Sequence, residues 1–219
     1  MRKLIILAVI LTVVFVYSCN KEEQEVYSCD KELNEWAHKN VRVIRSMSRE
    51  AWLQLDEQYK RPAFNALTPE QKLDFWKSKL TEVMTSFDWN DMEMEHLMKL
   101  YTYFVEHPDL YTEESLNDSV VNDQFARFCY RWKNDAMIDL DWTEEQIYAI
   151  AYTGNRMMNK DGGFQVVQKR RTLNLKESAP DETCNCNYAE ENNCTRDLKC
   201  KEVQGCGFAN RATCNGKRI

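Results

Sequence analysis

The sequence predicts a mainly α protein, a compact multi-helix bundle followed by a small, disulfide-rich, loop-dominated C-terminal module. Three observations predict it. Apolar residues recur at helical spacing from residue 36 to residue 151. Glycine is absent from the chain before Gly154. Six of the nine cysteines lie between Cys184 and Cys214, whereas residues 30–183 hold only Cys129. A hydrophobic content of 43% with 11% aromatics supports a packed core and excludes global disorder.

The chain opens with a targeting segment. Arg2 and Lys3 form a charged start, and Leu4 to Val16 is an apolar run too short to span a bilayer. Val16-Tyr17-Ser18-Cys19 resembles a lipobox, which makes residues 1–18 a signal peptide and Cys19 the acylated first residue of the mature chain. Residues 19–29 read as a tether. Their "NKEEQE" resembles the Lys-plus-acid export signal of surface lipoproteins of the Bacteroidetes, so the expectation is an outer-membrane lipoprotein displayed on the cell surface.

The body, residues 30–163, carries five apolar stripes. The first is Trp36, Val43, Met47, Ala51 and Leu55; the second is Leu73, Trp76, Leu80, Val83 and Phe87. Leu97, Leu100, Tyr101 and Phe104 form a third, and Val121, Phe125, Phe128, Trp132 and Ala136 a fourth. Ile147, Ile150 and Ala151 begin a fifth, so about five helices are expected over residues 30–158. Helix starts are marked where physics asks for them. Thr68, Pro69 and Gln71 compose a capping box with proline in the first turn, and Thr143 precedes Glu144, Glu145 and Gln146 in the same manner. "FDWNDMEMEHL" and "LDWTEEQIYAI" share a hydrophobe, Asp-Trp, a capping residue and acids, which recurring helix-start chemistry explains as well as a two-helix repeat does. Pro108 and Gly154 break the stripes, Asp161-Gly162-Gly163 makes a turn, and residues 164–183 read as an extended linker.

Function classes are excluded by charge and by missing motifs. The formal net charge is −6, and loss of Arg2 and Lys3 leaves −8. Residues 184–219 carry +2, so the rest of the mature chain carries −10, which repels nucleic acid. Neither a Gly-rich phosphate loop nor a Gly-x-Ser-x-Gly elbow occurs, and no enzyme activity or cofactor is expected. Glu35-x-x-His38 and Glu93-x-x-His96 have the spacing of a di-iron carboxylate site. Helical phase places Glu93 within its apolar stripe but turns Glu35 and His38 toward water, so no metal is expected. Cys129 shares a buried stripe with Phe125 and Trp132 and reads as a core thiol, with a disulfide to Cys29 as the alternative in an oxidising compartment. Asp118-Ser119-Val120 resembles an O-glycosylation site of the Bacteroidetes, with Ser119 the acceptor.

The tail, residues 184–219, spaces Cys184, Cys186, Cys194, Cys200, Cys206 and Cys214 in a short, polar, exported segment. Such a unit needs staples to fold, and a bridge closing about 15 residues contributes about 3 kcal/mol in the chain-entropy model. Closing Cys184 on Cys186 is too strained, and the remaining connectivities stay open. With no Cys-x2-Cys knuckle and no histidine in the tail, zinc is not expected. Cys184-Asn185-Cys186, Cys194, Cys200, Gly205-Cys206-Gly207 and Cys214-Asn215-Gly216 resemble the C-terminal signature of fulvocin C-related bacteriocin proteins. The chain ends "CNGKRI", without the further cysteine usual in that family. The resemblance covers the tail and the layout of a module behind a larger carrier. It implies an antibacterial module directed at a competitor's envelope, and it leaves an immunity partner unspecified.

Residues 196–219 carry +4, which suits an anionic membrane surface, and "QKRRT" at residues 168–172 offers a basic cleavage site or an ordinary charged linker. Two classes of function are consistent with the residues: a bacteriocin-like lipoprotein or its precursor, and a surface lipoprotein that binds a ligand or partner behind a disulfide-stapled cap.

Overall fold

A computed structural model describes residues 25–28, 30–167, 194–196, 203–214 and 216–218. The lipidation residue Cys19 and also Cys29, Cys184, Cys186 and Cys200 lie outside the described residues.

The protein is mainly helical, with eight α-helices among the described residues. In order they are α1 (Lys31–Ser46), α2 (Arg49–Leu53), α3 (Glu57–Asn65), α4 (Pro69–Ser86), α5 (Asp91–Glu106), α6 (Glu113–Asn117), α7 (Ser119–Asp139) and α8 (Glu144–Ala151). Side chains that satisfy orphan N–H groups mark most of the starts. Asp30, Ser48, Thr112 and Asp118 each accept from a first-turn backbone N–H. Full capping boxes open α4 (Thr68 with Gln71), α5 (Asn90 with Glu93) and α8 (Thr143 with Gln146).

Helix α4 is the central rod. Trp76, Lys79, Leu80 and Val83 are wholly buried on it. It packs against α5 and α8, while α1 packs on α3, and α7 closes the other side against α5 and α8. The two Asp-Trp segments meet here: the Trp89 and Trp142 rings lie 5.6 Å apart, and their indole N–H groups donate to the Val83 carbonyl and to Glu93 Oε1.

The first stripe departs from its expected course. Val43 is 61% exposed, and Ala37 and Ile44 are the buried residues of α1. The helix ends at Ser46, and the Ser48 cap restarts the chain as α2, so Met47, Ala51 and Leu55 never continue the face of Trp36. Similar breaks separate α2 from α3 and α6 from α7, which raises the expected five helices to eight. The turn at Asp161-Gly162-Gly163 forms as expected, with Gly162 at φ 95°, and Met157 pairs with Phe164 as an isolated antiparallel bridge. Phe164 therefore packs on the core at the point where the linker was expected to begin.

The tail contributes two short antiparallel pairs: β1 (Cys194–Arg196) with β4 (Gly216–Arg218), and β2 (Val203–Cys206) with β3 (Ala212–Cys214). A tight turn at Phe208–Asn210 joins β2 to β3. This second hairpin is not a separate knob. Phe208 and Ala209 belong to the same buried cluster as the helical core.

Candidate functional site: the seat of the C-terminal hairpin

The apex of the β2–β3 hairpin is shaped by backbone that few residues accept. Gly205 and Gly207 have φ of 114° and 69°, and Ala209 and Asn210 both sit at 52° in the left-handed region. Non-glycine residues are held there only when the surroundings over-determine them. Asn210 Nδ2 donates to the Gly205 carbonyl at 2.8 Å and closes the turn from within. A Cβ on Gly205 would lie 2.7 Å from Asn65 Oδ1 and 2.9 Å from Arg61 Cγ, so the missing side chain is what lets the strand lie against α3.

Two side chains of the apex enter the body. Phe208 meets Phe125, Trp132 and Tyr152 edge to face, with ring centroids 6.0, 5.5 and 5.2 Å away. T-shaped aromatic contacts of this kind add to the gain from burial, which for a phenylalanine is about 1.5–3 kcal/mol. Arg211 is only 6% exposed. Its Nε donates to the Leu110 carbonyl at 2.9 Å and its Nη1 to Asn122 Oδ1 at 2.6 Å. Its Nη2 donates to the Ser115 carbonyl and hydroxyl at 3.1 and 3.3 Å, and Cζ stands 4.8 Å from the Phe125 ring centroid. The acceptors are neutral, and the Ser115 carbonyl belongs to the last turn of α6, where carbonyls lack helical partners. Burial pulls the Arg211 guanidinium somewhat below its usual range, yet it stays the cation of the site. Tyr111 completes the seat: its hydroxyl donates to the Ala209 carbonyl at 2.7 Å, and burial raises its pKa well above the ordinary tyrosine value.

The sequence-predicted site residues fall around this seat in part. Cys206 is buried in β2 and disulfide-bonded, its partner lying outside the described side chains. The backbone of Cys194 begins β1 and that of Cys214 ends β3. Cys129 is free and buried, and burial raises its thiol pKa far above the ordinary range. It sits on the core face of α7 beside Phe125 and Trp132, and Cys29, its alternative disulfide partner, lies outside the described residues. Ser119, the glycosylation candidate, is exposed at the first position of α7.

The Glu-x-x-His pairs have other duties. Glu93 accepts from the Asn90 backbone and from Lys160 Nζ at 2.8 Å, and burial lowers the pKa of His96, whose Nε2 contacts the Trp132 carbonyl at 2.9 Å. Glu35 is exposed as expected, between Lys31 and Lys39. His38 is not turned to water: its ring packs 4.7 Å from Tyr27 and its Nε2 is buried, because the face of α1 that is covered is rotated from the expected one.

A second polar cluster anchors the loop after α8. Arg49 donates to the Gly154 carbonyl at 2.9 Å and pairs with Glu82 at 2.7 Å. Lys60 reaches Asn155 Oδ1 and Lys79 reaches the Asn155 carbonyl, both at 2.6 Å. Three buried basic side chains thus hold one loop by two backbone carbonyls and the Asn155 side-chain amide, a structural task. Arg49 also lines a small cleft with Met47, Trp52, Leu67 and Phe75.

The hairpin seat escapes sequence reasoning because its partners lie far away in the chain. Arg211 bonds residues 89 to 101 positions distant. The available signal was Phe208, set between Gly207 and Ala209 in a tail with few large apolar residues. Compared with known proteins, the chain matches no family model, no curated protein and no solved structure.

Proposed function

We propose that this chain is an exported, lipid-anchored, bacteriocin-like protein whose helical body carries a disulfide-stapled antibacterial module. The cysteine array that resembles the fulvocin C-related signature supports the class. The observation that carries the reading of body and tail as carrier and cargo is the hairpin apex, which the body grips through Phe208 and Arg211. Cys19 is the proposed lipid anchor, and a competitor's envelope is the proposed target of the module. The positive charge of residues 196–219 suits an anionic surface, against a strongly acidic body. The mechanism in this reading is presentation. The body holds a stapled hairpin, seated by its apex, at the cell surface, and no bond is made or broken by the chain itself.

Intact mass spectrometry of native protein from cells and from culture supernatant, alkylated with and without reduction, tests the molecular form. Growth inhibition of related strains by that form tests the activity. A species whose tail cysteines resist alkylation until reduced, and which kills, supports the proposal. A pure, correctly oxidised protein that kills neither when added nor on contact defeats it.

A second reading keeps the anchor and drops the toxicity: a surface lipoprotein that binds a partner, with the hairpin as its structural cap. The burial of Phe208 within the body core favours it, since a cap that completes a core is part of the scaffold. Capture of a specific partner by a chain that does not kill would select this reading.

A further inference from the structure

We propose that the helical body holds a specific binding site for the apex of its own hairpin, residues 205–211, and that this site keeps the hairpin seated after the chain between body and tail is cut. Among the described residues, the seat is made by the body. Phe125, Trp132 and Tyr152 box the Phe208 ring, and Leu110, Ser115 and Asn122 fork around the Arg211 guanidinium. The Tyr111 hydroxyl reads the carbonyl of Ala209, a residue held in the left-handed conformation. The absent Cβ of Gly205 lets the strand approach Asn65 and Arg61. An aromatic anchor in a pocket beside a buried, multiply bonded arginine is the composition of an interface hot spot.

The chemistry is specific. The Arg211 acceptors are neutral and engage all three guanidinium nitrogens, so geometry and not net charge selects the residue, and a lysine cannot reproduce it. In the intact chain the connecting segment supplies a high effective concentration, which any contact would exploit. After cleavage the site must hold the hairpin by its own affinity. The consequence for the antibacterial reading is that the body is the module's first partner: cutting at a basic site such as residues 168–172 frees the tail covalently but leaves it masked. That consequence rests on the proposed function; the binding site does not.

The test uses the full mature chain in detergent, with a site-specific protease sequence placed within residues 172–183. After complete cleavage, native mass spectrometry and size-exclusion chromatography are expected to find body and tail together as a one-to-one complex. The two are expected to separate in denaturant without reductant. Arg211→Lys and Tyr111→Phe are expected to raise the dissociation constant about tenfold each, a change of about 1.4 kcal/mol, with helical circular dichroism unchanged. Separation of the wild-type fragments while helicity persists overturns the proposal. So does persistence of the pair in denaturant, which would mean a disulfide holds them, and so does wild-type affinity in both variants. A two-to-two mass overturns the intramolecular seat in favour of exchange between copies. Failure of the module to kill, with the nicked complex intact, defeats the proposed function and leaves the binding site standing.

Discussion

The Tyr111 hydroxyl donates to the Ala209 carbonyl at 2.7 Å, across 98 positions of sequence. Through it the acidic body reads the backbone of the tail. Both groups are buried, so neither has water as a substitute partner. Tyr111→Phe removes the donor and leaves the carbonyl unsatisfied, at a cost of about 1–2 kcal/mol. Urea unfolding of the two proteins at equal slope checks it. An unchanged midpoint would mean that the contact contributes nothing to holding the hairpin.

The close approach of β2 to α3 gives a second expectation. Alanine at position 205 must adopt a φ of 114° and place its Cβ against Asn65 Oδ1. Both effects act in the same direction, and together they cost about 2–3 kcal/mol. The loss should be local. Hydrogen exchange at residues 203–214 should accelerate in Gly205→Ala, while α4 amides keep their protection. Equal acceleration in α4 would show that hairpin and body unfold as one unit.

Cys129 offers a chemical check on the core. Its thiol is buried and free, and burial disfavours the reactive thiolate. Native protein treated with iodoacetamide should leave the peptide around Phe128 and Tyr130 unlabelled, and denatured, unreduced protein should label it fully. Labelling in the native state would mean that α7 opens readily; absence of label after denaturation would mean that Cys129 is in a disulfide.

What could be read from sequence was local chemistry. Thr68 with Gln71 and Thr143 with Gln146 announce helix starts because capping needs only residues three positions apart. The stripe of Leu73, Trp76, Leu80 and Val83 was legible because one face of α4 stays buried from Lys72 to Val83 while Asp74, Ser78 and Thr81 face water. The stripe of Trp36 and Val43 misled because α1 covers a narrow face, where Ala37 and Ile44 suffice. Long-range polar contacts left no local trace. Lys60 and Lys79 carry no mark of their burial, since nothing near them in sequence reveals that Asn155 receives both. The hairpin seat was hidden for the same reason: a charged tail with an arginine gives no sign of a body that binds it.

Lys79 makes the last prediction, one of pH. Its ammonium is fully buried with, among the described residues, the Asn155 carbonyl as its bonded acceptor, and burial lowers its pKa from 10.5 to about 7. Arg49 and Arg156 push it further down, while Glu82 opposes them. In the unfolded chain the lysine is protonated up to its ordinary pKa, so between about 7 and 10.5 the unfolded state binds more protons than the folded one. Stability therefore gains from this group as pH rises through that window, by at most about 1.4 kcal/mol per pH unit. Below the window both states are charged and the burial penalty is present in full. Lys72, lowered by burial to about 8, titrates in an overlapping range, so wild type must be compared with Lys79→Met and not with itself at another pH. Methionine keeps the length of the side chain, removes the charge and leaves the Asn155 carbonyl unpaired. The difference in unfolding free energy, wild type minus Lys79→Met, should rise from pH 7 to pH 10 as urea denaturation follows it. A flat difference would show that water or a counter-ion reaches Lys79 Nζ in the folded protein and keeps it charged throughout.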